Sequence, residues 1–263
     1  MIPPGLLLVL VAFLLPLLPS LYRKFLLIAA PIASLILILL IPDDYSLKLP
    51  FLEYELLIIK LTPFGKLFAV IFSIMALVGN IYALNQAKLT ELVSAMIYAG
   101  SGISVVLAGD LITLFIFWEI MAIASTMILW ANNTSGSRKA GIRYLLVHLF
   151  GGVILMIGII SYYSETGKIV FESMVGREAT VSYWFILAGF LINAGAPPLS
   201  AWIADAYPEA SPSGSVFLSA FTTKTAVYVL LIAFAGTKLL IFIGLYMVFY
   251  GIIYALLEND MRR

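Results

Sequence analysis

The chain has 263 residues, of which 63% are hydrophobic and 11% charged, and its mean hydropathy is +1.09. That balance excludes a soluble domain and indicates a polytopic helical membrane protein. The net charge of +1, without a basic patch, gives no reason to expect nucleic acid as a partner. Because the chain has no cysteine, disulfides, iron–sulfur clusters and thiolate metal sites are excluded on it, and we expect no cofactor.

About nine apolar segments approach the length of roughly 20 residues that a helix needs to cross the hydrocarbon. The N-terminus lacks a positive region and a cleavage site, so the first segment is predicted to be a retained span and not a signal peptide. The segments are 3–20, 25–42, 67–86, 91–109, 111–131, 141–163, 182–204, 214–236 and 239–257. Between the second and third, alternation after Phe51 predicts a short hairpin on the membrane surface. The predicted fold class is all-α and polytopic.

The basic residues between these segments indicate an orientation. One set of loops holds Arg23, Lys24, Lys88, Arg138, Lys139, Arg143, Arg262 and Arg263. Because basic loops are retained on the cytoplasmic side, we expect a multi-pass protein of the cell membrane with the N-terminus outside and the C-terminus inside.

The seventh segment is interrupted at Gly195, Pro197 and Pro198 and is followed by a polar loop at 205–213. Proline removes a backbone N–H, and hydrocarbon supplies no water in its place, so the freed carbonyls must face protein or a wet cavity. A break of this kind marks a place that ions or water reach. Asn193 and Ser200 flank it and complete the predicted broken helix.

Two charges fall near the middle of predicted spans, Glu119 in the fifth and Lys224 in the eighth. Each costs on the order of 2.5–3.5 kcal/mol to place at the bilayer centre, so each is expected to face a partner or a wet interior. One interpretation is a structural ion pair between them. The other is a carboxylate and an amine that pass protons.

His148 in the sixth span is a third candidate, since imidazole exchanges protons near neutral pH. A buried neutral histidine bonded to a carbonyl is the alternative. Asp110 and Glu91 lie at span ends and are expected to cap helices or lie at the interface. Asp205 is expected to cap the next element or to bridge to a neighbouring subunit. The tryptophans are attributed to interfacial anchoring and packing.

Three stretches carry a family resemblance: PPLSAWIADAYPEASPSGSVFLSAFTTKTAVYVLL, FWEIMA and the terminal FYGIIYALLENDMRR. They resemble the antiporter-like membrane subunits shared by Mrp-type cation/proton antiporters, respiratory complex I and archaeal membrane-bound hydrogenases and sulfane reductases. The resemblance implies three initial helices followed by inverted five-helix repeats, each with a broken helix beside a central charge. It also implies that Glu119 is the glutamate of the fifth helix, that Lys224 is the bridging lysine of the eighth, and that a redox module on a partner subunit drives transport.

The chain departs from that family in two ways. Asn193 stands where a lysine usually pairs with the glutamate, and an amide does not exchange protons near neutral pH. Ser200 stands where many relatives have histidine. The expected division is 1–90 for three helices and a hairpin, 91–236 for a five-helix repeat and 237–263 for a ninth helix and cytoplasmic end, with the second repeat essentially missing.

Three functional hypotheses follow. The first is an accessory or partly degenerate antiporter-like subunit that extends the membrane arm of a redox-driven complex beside a full-length homologue. The second is an active proton- or sodium-translocating subunit that uses Glu119, His148 and Lys224. The third, a stand-alone membrane transporter or enzyme, lacks support because the sequence contains no catalytic motif.

Overall fold

The structure is a computed structural model that describes residues 2–52 and 54–259. Glu53, Arg262 and Arg263, which entered the predictions above, lie outside the described residues. The helices are α1 (Pro4–Leu14), α2 (Ser20–Leu40), α3 (Pro63–Ala83), α4 (Leu89–Leu107), α5 (Leu111–Ala131), α6 (Ser135–Thr166), α7 (Val181–Ala194), α8 (Ala201–Ala206), α9 (Pro212–Ala220), α10 (Thr222–Ala233) and α11 (Lys238–Leu257). Two strands, β1 (Ser46–Phe51) and β2 (Tyr54–Lys60), form an antiparallel hairpin.

All nine predicted apolar segments are helical, and the all-α polytopic fold class is confirmed. Within the described ranges, seven helices are long and apolar enough to cross a membrane, counting α9 and α10 together. The other two segments form shorter helices, α1 and α7. The first is short because a 3-10 turn at Leu15–Leu17 contains Pro16, and the second because its helix breaks.

Local caps explain most differences between predicted and observed boundaries. α6 begins six residues before the predicted 141 because Thr134 and Ser137 form a capping box, and it ends at Gly167 in the left-handed conformation. α3 begins at Pro63, whose fixed φ suits a first helical position, with Thr62 as its cap. The predicted polar loop at 205–213 is wrong in part, because α8 continues to Ala206 and a 3-10 turn covers Tyr207–Glu209.

The helices form a bundle in which α4 is the most buried span. α4 packs on α1, α3 and α5, while α6 lies between α5 and α7, and α10 packs on α7 and α4. By contrast, none of the α11 residues, all of which the structure describes, is buried. Short connections make consecutive spans run antiparallel, so the bundle has two ends. We name them the hairpin end, which carries β1 and β2, and the Arg143 end, where α6 begins.

The hairpin is confirmed and is attached to the junction of α4 and α5. Gly109 donates its N–H to the carbonyl of Leu57 at 2.9 Å, and the N–H of Leu57 donates to Asp110 Oδ2 at 2.7 Å. Asp110 also accepts from the N–H of Thr113 at 2.7 Å, so it caps α5 as predicted. One buried carboxylate therefore fixes the start of the helix that carries Glu119 to the hairpin.

The candidate polar centre

The break after α7 lies in the middle of the bundle. Gly195 ends the helix with φ 77°, in the left-handed region that glycine adopts most easily. Its N–H donates to the carbonyl of Ile192, and the N–H of Ala196 donates to the carbonyl of Leu191 at 2.9 Å. The indole N–H of Trp202 in α8 also donates to Ile192, at 3.1 Å. The freed carbonyls at this break therefore face protein, and Trp202 has a bonding role that the sequence analysis missed.

Glu119 and Asn193 approach α6 at two adjacent glycines. A Cβ atom at Gly152 would lie 2.9 Å from the Glu119 carboxyl carbon, and a Cβ atom at Gly151 would lie 3.1 Å from Asn193 Nδ2. Only glycine leaves room for both side chains at this level of α6. Asn193 is fully buried and donates to the carbonyl of Gly189 at 3.3 Å. We call Glu119, His148 and Asn193, arranged along α6, the polar centre.

His148 lies one helical turn before the glycine pair and is 2% exposed. Its Nδ1 is 3.0 Å from the carbonyl oxygen of Tyr144. Its ring stacks on Tyr144 with centroids 4.0 Å apart and meets Trp202 edge to face at 4.7 Å. The two aromatic rings hold the imidazole in place on α6.

The polar centre contains several buried atoms without a partner. Within the part of the chain that the structure describes, Glu119 Oε1, His148 Nε2 and Asn193 Oδ1 have no hydrogen bond. Leaving such a group buried and unpaired costs about 1–3 kcal/mol, so these atoms are normally matched by ordered water or by a passing ion.

Lys224 points away from the polar centre. It is exposed, and its Nζ donates to the carbonyl of Ser219 at 2.6 Å and to Thr223 Oγ1 at 3.2 Å. It lines an apolar groove of about 1020 Å³ between α10 and α11. Glu119 lines a different groove of about 410 Å³, beside Leu149 and Met156 of α6.

The predicted structural ion pair between Glu119 and Lys224 is therefore wrong. Among residues 2–52 and 54–259, the ion pairs are Lys48–Glu55, Lys66–Asp43, Arg143–Asp205 and Arg177–Glu165. The two mid-span charges lie on α5 and α10 and open onto separate grooves, so their side chains have no shared interior in which to pair.

The remaining polar candidates stabilise the Arg143 end. Asp205 forms a bidentate pair with Arg143, at 2.6 and 2.7 Å, and so ties α8 to α6 within the chain. Glu91, 2% exposed, accepts hydrogen bonds from Ser211 and Ser213 at the start of α9. Ser200 begins α8 without a side-chain cap and lines a cavity of about 250 Å³ against α11.

Sequence reasoning missed a group of buried hydroxyls next to His148. Tyr98, Ser125, Tyr144 and Thr222 lie on four different helices and are at most 1% exposed. Tyr144 could have been found, since it precedes His148 by four residues and so shares its helix face. In the described ranges, no three His, Asp or Glu side chains come together as metal ligands would.

Comparison with known proteins identifies the fold of this site. The family described as NADH:quinone oxidoreductase/Mrp antiporter, TM, matches residues 108–263, from α5 to the last residue. NADH-quinone oxidoreductase subunit M of Pseudomonas aeruginosa is 26% identical over 191 residues, which cover 62% of this chain and 37% of that protein. The chain spans 35–37% of the length of the first curated relatives that it matches.

Solved structures with this fold come from large membrane complexes. A chain of respiratory complex I from Thermus thermophilus superposes with a TM-score of 0.82 at 16% identity, covering 98% of this chain and 60% of that one. A chain of the archaeal membrane-bound sulfane sulfur reductase superposes with a TM-score of 0.72 at 20% identity, covering 86% of this chain and 50% of that one. The resemblance stated from the sequence is confirmed.

Proposed function

Because the chain belongs to the NADH:quinone oxidoreductase/Mrp antiporter membrane family, we propose that it is a proton-relaying membrane subunit of a multi-subunit complex. The observation that supports this role most strongly is the row of unpartnered polar atoms along α6, at Glu119, His148 and Asn193. Groups of this kind inside a membrane bundle are costly and characteristic of ion and proton pathways.

Each residue of the polar centre has a role that fits its chemistry. Glu119 carries the exchangeable proton, because a half-buried carboxylate beside a groove can accept and release one. His148 is a second exchangeable group at a distance of one turn from the glycines. Asn193 cannot exchange a proton, but its amide can donate to and accept from a water molecule that passes one.

Lys224 acts on the opposite side of the proposed relay. Its ammonium group faces the groove beside α11 and is bonded to a carbonyl and a hydroxyl. A cation in an apolar groove requires a polar or anionic neighbour. We infer that this neighbour belongs to another membrane subunit or to further antiporter-like helices, which would cover the exposed α11.

The second candidate is the accessory, partly degenerate subunit that extends a membrane arm next to a full-length homologue. The amide at Asn193 and the separation of Glu119 from Lys224 favour it, since both interrupt a relay made of charges. In this case the chain contributes to assembly, and Glu119→Gln leaves proton transfer unchanged.

The relatives named above indicate the kind of complex. We propose that the partners are other membrane subunits of a redox-driven or Mrp-type assembly, in the cell membrane, with the Arg143 end cytoplasmic. The described basic residues of that end, such as Lys88, Arg138 and Lys139, support this orientation.

Proton uptake in membrane vesicles that contain the assembled complex tests the function. We expect Glu119→Gln to slow uptake by at least about tenfold, because general acid–base groups contribute this much or more. Glu55→Gln is the control, since Glu55 is an exposed carboxylate of the hairpin and pairs only with Lys48. Native electrophoresis must show equal assembly of both variants.

The outcomes separate the two candidates. Unchanged uptake in Glu119→Gln, with the complex assembled, contradicts the relay and leaves the accessory role. Loss of the whole complex on deletion of the chain, together with wild-type uptake in the point variants, supports the accessory role directly.

A further inference from the structure

The hydroxyl cluster of Tyr98, Ser125, Tyr144 and Thr222 joins α4, α5, α6 and α10, the helices that surround the polar centre on one side. Each member is at most 1% exposed. Simple packing would be served as well by phenylalanine, alanine and valine, which have no polar atom to bury. The hydroxyl groups therefore call for an explanation of their own.

The hydroxyls form a continuous hydrogen-bonded chain. Tyr98 OH lies 2.6 Å from Thr222 Oγ1, and either atom can be the donor. Tyr144 interacts with the side chain of Thr222 and donates to Ser125 Oγ at 3.0 Å. Ser125 in turn donates to carbonyls of its own helix, at 2.8 and 2.9 Å. The chain thus runs from α4 through α10 and α6 to α5.

The cluster lies between the Arg143 end and the polar centre. Tyr144 precedes His148 by one turn, about 6 Å along the helix axis. On the other side is Tyr207, in the 3-10 turn after α8. Its hydroxyl interacts electrostatically with those of Tyr98 and Tyr144, yet this buried atom has no hydrogen-bond partner among the described residues.

We propose that the hydroxyl cluster is a neutral proton conduit which connects the Arg143 end, through Tyr207, to the polar centre. The inference rests on the proposed relay function and assigns it an entry route that contains no charged side chain. It accounts for the unpartnered hydroxyl of Tyr207, which a water molecule from the Arg143 end would satisfy.

The proton balance of the step is simple. A proton from water reaches the oxygen of Tyr207 and is passed on through Tyr98, Thr222, Tyr144 and Ser125. At each oxygen one O–H bond forms and one breaks, so no member keeps a charge. The last member releases a proton to water at the polar centre, and rotation of the hydroxyls restores the starting arrangement.

A purely structural role is the competing explanation. Thr222 begins α10 directly after the interruption at Phe221, and its N–H donates to Tyr98 OH at 2.9 Å. Tyr98→Phe would therefore disturb the helix start as well as the conduit. The informative positions are Tyr144 and the side chain of Thr222, whose hydroxyls can be removed without losing that backbone bond.

The test measures proton uptake in vesicles with the assembled complex, in H2O and in D2O. We expect Tyr144→Phe and Thr222→Val each to slow uptake about fivefold to tenfold, the rate equivalent of one lost hydrogen bond. Thr222→Ser keeps the hydroxyl and should restore the rate. The matched control is Tyr183→Phe, which removes another buried hydroxyl that bonds a threonine, Thr237, at the hairpin end.

The isotope measurement distinguishes a conduit from a structural effect. Slower uptake with an altered solvent isotope effect, in complexes as heat-stable as the Tyr183→Phe control, supports the conduit. Wild-type uptake in both Tyr144→Phe and Thr222→Val overturns it, and so does slow uptake that Thr222→Ser fails to restore. If Glu119→Gln slows uptake while these variants do not, the conduit fails and the relay stands; if Glu119→Gln has no effect either, both fail.

Discussion

Trp202 donates its indole N–H to the carbonyl oxygen of Ile192 at 3.1 Å, across the break between α7 and α8. The bond replaces part of what the helix loses where Pro197 and Pro198 interrupt it. It also places the indole against the edge of His148. A single side chain thus closes the backbone of the broken helix and fixes the imidazole of the polar centre.

Trp202→Phe should destabilise the protein because it leaves a buried carbonyl with one donor fewer. We expect a loss of about 1–3 kcal/mol in the free energy of unfolding. Thermal unfolding of the complex in detergent or nanodiscs measures it. Trp184→Phe is the control, since the Trp184 indole also bonds a carbonyl, that of Glu178 at 2.9 Å, but at an exposed site where water takes its place. Equal losses in the two variants would contradict the assigned role.

Gly152→Ala should displace the Glu119 carboxylate. An added Cβ would collide with Glu119 Oε1, so either the side chain turns away or α5 and α6 separate. Overpacking of this kind costs about 1–3 kcal/mol, and proton uptake should fall as the carboxylate leaves its position. Gly244→Ala in α11 meets no atom within 4 Å and should change neither stability nor uptake. A Gly152→Ala variant with wild-type uptake would show that the position of Glu119 against α6 is unimportant.

Asp110→Ala should loosen the hairpin end. The variant loses the N-cap of α5 and leaves the N–H of Leu57 in the hairpin unpaired, at a fully buried position. We expect the hairpin amides to exchange with deuterium faster and the stability to fall by about 2 kcal/mol. Thr134→Ala removes only the cap of α6 and should cost about 1 kcal/mol without affecting the hairpin. A hairpin whose exchange is unchanged in Asp110→Ala would refute the proposed attachment.

Much of the fold could be predicted because its signals are local. Apolar runs of sufficient length specify helices in hydrocarbon, where every backbone group must bond within its own segment. The break at Gly195–Pro198 and the cap at Asp110 also follow from neighbouring residues. The interruption at Phe221 between α9 and α10 was missed, because neither proline nor glycine marks it.

The candidate site was predicted less completely. Its members Glu119, His148 and Asn193 could be named from the sequence, since polar residues stand out in apolar spans. Which of them lie together could not. Glu119 and Lys224 were paired on charge alone, whereas the helices that carry them direct the two side chains into separate grooves.

What the sequence by itself determined is thus a membrane bundle, the position of its break and the identity of its mid-span polar residues. Only the tertiary structure decided that the glycine pair at 151–152 seats Glu119 and Asn193, and that Tyr98 bonds Thr222 at a separation of 124 residues. The physical reason is range. Hydropathy and capping act within a few residues, while a hydrogen bond between distant side chains depends on how every intervening helix packs.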